Sequence, residues 1–155
     1  DQAYGIGGKY SVDNYSVGIG YESIDVSGIA TNVTTLAQTE FNETVDSWIL
    51  GGSATFGGFT LKAQYGQGSS QSLDLTQYGI SGDYTFDAFT VTAFWRSVEL
   101  ATAGDAASVE RQPFGLGVTY DLGGGASVAA GVVDPGGPAD LDESTRADIG
   151  VNFNF

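Results

Sequence analysis

The residues with the most obvious chemistry are loop carboxylates. Glu40, Glu43 and Asp46 form one group, Asp105 and Glu110 a second, and Asp134, Asp140, Asp142 and Glu143 a third. Hard divalent cations take several oxygen ligands, so a loop-bound Ca²⁺ is an expectation these clusters raise. The stretch 140–143 lacks the spacing and central Gly of an EF-hand loop. The bland alternative is solvated loops that repel one another. No other cofactor is expected. The chain has no Cys and no His. It therefore lacks a disulfide, a thiol nucleophile, an imidazole base and the usual zinc or haem ligands. Gly5 to Ser11, GIGGKYS, is not a phosphate loop, because Tyr10 separates Lys9 from Ser11. Asn32-Val33-Thr34 and Asn42-Glu43-Thr44 match a glycosylation pattern without other support.

A second set of charges sits inside alternating segments. Lys9, Glu22, Lys62, Asp83, Arg96, Asp121, Arg146 and Asp148 all share the polar parity of their segment. The elements that position them are strands. About nine segments alternate apolar with small or polar residues: 3–10, 15–26, 45–56, 59–68, 75–86, 89–99, 112–122, 126–133 and 145–155. Period-two alternation means one greasy face and one wet face. In 59–68, Phe59, Leu61, Ala63 and Tyr65 oppose Thr60, Lys62, Gln64 and Gly66. The last segment alternates up to the terminal aromatic, with Ile149, Val151, Phe153 and Phe155 on one side.

Connections alternate too. Short ones fall at 11–14, 57–58, 87–88 and 123–125, where Gly and Asp tolerate the positive φ of tight hairpins. Long polar ones fall at 27–44, 69–74, 100–111 and 134–144. Aromatics gather at both ends of the apolar faces. Tyr10, Tyr15, Phe56, Phe59, Phe86, Phe89 and Tyr120 flank the short turns, while Trp48 and Trp95 stand at the far ends with Tyr4, Tyr21, Tyr65, Tyr78 and Phe114. Six to eight residues separate the two sets, roughly 15–20 Å of height for strands tilted near ~40°. Two aromatic girdles around an apolar band suit a bilayer, because amphipathic rings prefer its interfaces. A soluble β-sandwich is the alternative, but its core would favour aliphatics at mid-strand rather than aromatics sorted to strand ends.

The bulk numbers agree. The chain has 155 residues, 24 Gly, 12% aromatic and 15% charged residues, and a mean hydropathy of -0.02. One domain, 1–155, is expected. A net charge of -14 from 19 acidic and 5 basic residues excludes a nucleic-acid partner, since phosphate binding needs clustered Lys and Arg. No apolar run reaches the ~20 residues of a membrane helix. DQAYGIGGKY shows no basic stretch followed by an apolar run.

YDLGGGAS at 120–127, the acidic loop after it and the terminal DIGVNFNF resemble the general-diffusion porins of Gram-negative bacteria, particularly the alphaproteobacterial type. YTFDAFTVTAFW and YSVGIGYESID are similar to their strand–turn–strand units. The resemblance implies an all-β antiparallel transmembrane barrel, this chain giving about nine strands as the C-terminal part of a sixteen-stranded porin. Strand parity agrees: nine antiparallel strands would leave first and last parallel, so the partner would be missing N-terminal strands. It implies passive diffusion of small hydrophilic solutes through a water-filled channel rather than enzymatic activity. A small non-conducting barrel, serving as structural anchor or adhesin, is the other reading. An outer-membrane hydrolase usually needs a His-assisted nucleophile, which this chain lacks.

The resemblance further implies the bacterial outer membrane, a periplasmic C-terminus and extracellular long loops. Lipid, lipopolysaccharide, the barrel-assembly machinery and two further copies in a homotrimer would be the partners. Lys62 and Arg96, at mid-strand, then become pore-lining candidates, followed by Lys9, Asp83 and Arg146. The alternative is that they tolerate water without limiting flux, since the constriction loop would lie upstream. Phe155, Phe153, Val151 and Ile149 become an assembly signal.

Overall fold

A computed structural model of the chain describes residues 2–31, 38–104, 107–137 and 144–154. These residues form ten strands: β1 (Ala3–Val12), β2 (Tyr15–Thr31), β3 (Gln38–Phe56), β4 (Phe59–Ser69), β5 (Leu73–Phe86), β6 (Phe89–Thr102), β7 (Ser108–Arg111), β8 (Phe114–Gly123), β9 (Ala126–Asp134) and β10 (Arg146–Phe153). Nine follow one another in a single antiparallel sheet, β1-β2-β3-β4-β5-β6-β8-β9-β10, and short β7 pairs with the outer end of β6. The sheet is open. β1 and β10 are its edges, and an odd number of antiparallel strands makes them run the same way.

The alternating segments become strands because each apolar set falls on one face under the observed register. Val17, Ile19 and Tyr21 pair with Gly52, Leu50 and Trp48 on that face. Leu61, Ala63 and Tyr65 continue it opposite Gly82, Ile80 and Tyr78. Two-residue turns close the hairpins. Their first residue takes a positive φ at Asp13 (47°), Gly57 (58°) and Asp87 (49°). At the fourth, Gly124 and Gly125 both do, at 64° and 84°. Leu122 bulges there, between the pairs Asp121↔Ser127 and Gly123↔Ala126.

Expected connections turn out to be partly strand, and the one read as 69–74 shortens to 70–72 between β4 and β5. The segments read as 15–26 and 45–56 extend to Thr31 and back to Gln38, in register through Val26↔Glu43 and Thr31↔Gln38. Alternation between greasy and wet faces stops where both faces meet water. The β-branched residues of this stretch still favour extended backbone. β3 alone is 19 residues, some ~60 Å of strand, against an apolar band of about 25 Å. The connection read as 100–111 holds β7 for the same reason. The segment read as 112–122 starts two residues later, at Phe114.

There is almost no interior. Among the described residues the buried hydrophobic one is Ala101, while Ile6, Ile19, Ile80 and Ile149 are 76, 59, 61 and 78% exposed. The accessible surface is 10834 Å², against about 7,400 Å² for a compact soluble protein of this mass. The excess decides against a sandwich: the apolar face is turned outward, toward whatever medium covers it.

Candidate functional site

Cross-strand pairing arranges the opposite face into rows. One row runs Lys9, Gly18, Gly51, Gln64, Gly79, Arg96. The next, one step toward the short turns, runs Ser16, Ser53, Lys62, Ser81, Phe94, Gly115, Val133, Arg146. A third runs Thr55, Thr60, Asp83, Thr92, Gly117, Gly131, Asp148. Bases therefore occupy two adjacent rows, and acids the row beyond them.

Lys9, Lys62 and Arg96, three of the chain's five basic residues, line one open trough of about 690 Å³ on this face. Lys9 and Arg96 stand at its two ends, five strand spacings apart, or roughly 24 Å along the wall. Glycines make the floor. A Cβ at Gly79 would lie 3.3 Å from Arg96 Cβ and Cγ, so the guanidinium stem rests on bare backbone. Lys62 Nζ donates to Asp83 at 2.9 Å, and Thr92 donates to the same carboxylate at 2.7 Å. Among the described residues, neither Lys9 nor Arg96 has a carboxylate at ion-pair distance. Toward the turns the wall is a belt of paired hydroxyls: Ser16–Ser53 at 2.8 Å, Thr55–Thr60 at 3.1 Å and Thr85–Thr90 at 2.9 Å. This face carries charges at mid-height and paired hydroxyls toward the turns.

The structure thus gathers Lys9, Lys62, Asp83 and Arg96. Arg146 shares the row of Lys62 but stands five strands away, again roughly 24 Å. Phe94 is the residue that reading the sequence for charges passed over. Its signal was adjacency: in Phe94-Trp95 two consecutive aromatics must face opposite ways, and Trp95 takes the outer face.

On that outer face the rings form two lines. Near the short turns Tyr15 meets Phe56 (5.6 Å between centroids), Phe59 meets Tyr84 (5.9 Å), and Tyr84, Phe86, Phe89 and Tyr120 continue ring to ring. Tyr10 borders this line, exposed. Tyr84 joins it although alternation counting had left it out. At the other end Tyr4 meets Tyr21, Trp48 meets Tyr65 and Tyr78 meets Trp95. Ile149, Val151 and Phe153 lie exposed on β10, on this same face; Phe155 lies outside the described residues.

Several loop carboxylates are taken by donors of the chain itself. Glu43 accepts from Ser72 (2.8 Å), Asp46 from Tyr21 (2.6 Å), and Asp134 from the Gly136 amide (2.9 Å). Glu110 accepts from Ser97 (2.8 Å) and Gln112 (2.9 Å). The Gln112 amide first and the Ser97 hydroxyl second hold its carboxyl below the usual range. Among the described residues no three metal-binding side chains converge; Asp105, Asp140, Asp142 and Glu143 lie outside them.

Comparison with known proteins bears on this two-faced wall. A family model described as Gram-negative porin matches residues 1–134. A porin of Rhodobacter capsulatus is 32% identical over 173 aligned positions, covering 99% of this chain and 51% of that protein. A porin structure refined at 1.8 Å resolution superposes with a TM-score of 0.75 at 30% identity, over 99% of this chain and 51% of the other. OmpT of Vibrio cholerae, expressed in the outer membrane, gives 0.79 at 17% identity over 98% and 56%. A trimer form of in-vitro folded OmpT gives 0.67 at 17% identity over 92% and 52%. At 17% these last two bear on the fold alone. The chain spans about half the length of the curated relative it matches.

Proposed function

Because the chain belongs to the Gram-negative porin family, we propose that it forms part of the wall of a water-filled outer-membrane channel through which small hydrophilic solutes and ions diffuse passively. One observation carries this reading. A single sheet has an aromatic-bounded apolar face on one side and, on the other, Gly, Ser, Thr and Gln around mid-height charges. Lipid satisfies the first face and water the second. Such a wall works by excluding and admitting, so it needs no catalytic group. The charged rows set the field that a passing ion feels. Acidic connections on the long-loop side would enrich cations at that mouth.

An open sheet is not stable in hydrocarbon, where every unpaired N–H or C=O costs several kcal/mol. The free edges of β1 and β10 therefore call for barrel strands beyond this sequence, in keeping with relatives of twice its span. A sixteen-stranded barrel of which this is the C-terminal part fits that need, and the family resemblance implies that it assembles as a homotrimer. The short turns would face the periplasm and the β2–β3 ribbon the exterior. Ile149, Val151, Phe153 and Phe155 would then be the assembly signal. Deleting Phe155 should lower insertion, and a normal trimer yield would count against that role. The central test is conductance of the assembled protein in planar bilayers under a salt gradient. Ohmic, water-filled conductance is expected; a protein that inserts but passes no current would favour a structural anchor instead.

A further inference from the structure

Phe94 is out of place on a wetted wall. Around it the inner face carries Ser81, Gly115, Thr92 and Gly79, yet its ring stands half-buried at the β6 end of the trough. It belongs to no core. Its edge lies over Gly115, with Cζ 2.9 Å from where a Cβ would sit there. That contact is why Gly115 is buried although it faces the lumen. The rest of the ring borders the trough; along the backbone Phe94 stands two residues from Arg96 on β6 and two strands from Lys62 in the same row. Those offsets are roughly 7 Å and 10 Å. Ile49 adds apolar surface farther along the same trough, and Gly18, Gly51 and Gly79 leave the floor free of side chains.

From this juxtaposition we propose that the trough is a subsite for solutes that join an aromatic ring to an anionic group, such as aryl carboxylates and aryl sulfonates. The proposal rests on the channel reading and adds to it the class of solute that the wall retains. A ring stacked on Phe94 at an ordinary aromatic spacing of ~4.5–7 Å places its anionic substituent within reach of the Arg96 guanidinium. That planar fork suits a carboxylate or sulfonate better than a point charge does. Lys62 is less available, because Asp83 already holds it. Small inorganic anions would feel Arg96 but not the ring. Neutral sugars would meet the ring without a charge to anchor them. The subsite therefore discriminates on the combination.

The experiment measures current block in planar bilayers holding the assembled protein, with benzenesulfonate and methanesulfonate added at equal concentration. Each block is normalised to the same channel's KCl conductance. Benzenesulfonate is expected to bind roughly two- to tenfold tighter than methanesulfonate, the range of one aromatic pair. Phe94→Leu keeps bulk over Gly115 and should bring the ratio close to one. Phe94→Tyr keeps the ring and should restore it. Arg96→Gln should weaken both sulfonates. A conducting channel that does not distinguish them, or a ratio unchanged in Phe94→Leu, overturns the subsite and leaves the channel reading standing. A protein that inserts and conducts no KCl overturns both.

Discussion

Replacing Ile80 and its neighbour Ser81 by the same residue tests the two-faced wall within one strand. Ile80 is 61% exposed and pairs with Ala63 and Trp95 on the outer face. It stands two residues from Tyr78 and four from Tyr84, so it lies inside the apolar band but off its midplane. An Arg at the midplane of a barrel's lipid face costs ~2–4 kcal/mol, falling toward the interfaces. Ile80→Arg should therefore cost about 2–3 kcal/mol, roughly a 30- to 150-fold loss in the folding equilibrium. Ser81 sits in the trough beside Lys62. There an added cation stays hydrated, and its repulsion from Lys62 is screened to under ~1 kcal/mol. Urea titration of the assembled protein in phospholipid bilayers measures both. Equal penalties, or a larger one for Ser81→Arg, would refute the assignment of faces and with it the channel wall.

Other substitutions probe finer points. Gly79→Ala would put a Cβ 3.1 Å from the Trp95 carbonyl oxygen and 3.3 Å from Arg96 Cβ. It should cost about 1 kcal/mol and push Arg96 toward the lumen, read as a drop in single-channel conductance. Gly125→Val combines a φ of 84° with a clash against the Asn154 carbonyl, and should destabilise by about 1–3 kcal/mol in the same titration. Asp83→Asn removes an ion pair whose Lys62 side chain is 56% exposed. Stability should change by less than ~1 kcal/mol, while ion selectivity shifts toward anions in a reversal-potential measurement. Glu110, held below the usual carboxylate range by Gln112 and then Ser97, stabilises the β6–β7 pairing when ionised. That contribution is complete above the ordinary carboxylate pKa and disappears as pH falls through the lowered one. Amide-exchange protection in β7 should follow this curve, and Glu110→Gln should flatten it.

The sequence was most readable where a bilayer imposes its own pattern. Alternation marked the membrane parts of all nine strands of the sheet, because one wrong-facing residue there is expensive. The turns at Asp13, Gly57 and Asp87 were visible because few residues accept positive φ. Outside the band the signal fades. Gln38–Thr44 and Ser108–Arg111 read as loop because they lack the greasy–wet alternation, and pairing with β2 and β6 makes them strands. The charges on the inner face were legible by parity, but their grouping was not. That Lys9 and Arg96 end one row across a shelf of glycines depends on register, which no single segment encodes. Phe94 was overlooked because a search of the wall for charges ignores a ring.

The short turns are tied forward as well as backward. The Thr55 amide bonds the Asn14 carbonyl, Thr85 bonds Gly58, Asp121 bonds Ala88 and Asn154 bonds Gly125, all at 2.7–2.8 Å. Each turn is thus fastened by the strand that arrives after the next long connection. Growth of the sheet then resembles a zip whose every tooth is latched by its successor. The entropy of closing each new loop stays small, because it rises only with the logarithm of a short length. A chain built this way can grow its sheet hairpin by hairpin, without first searching for a distant partner.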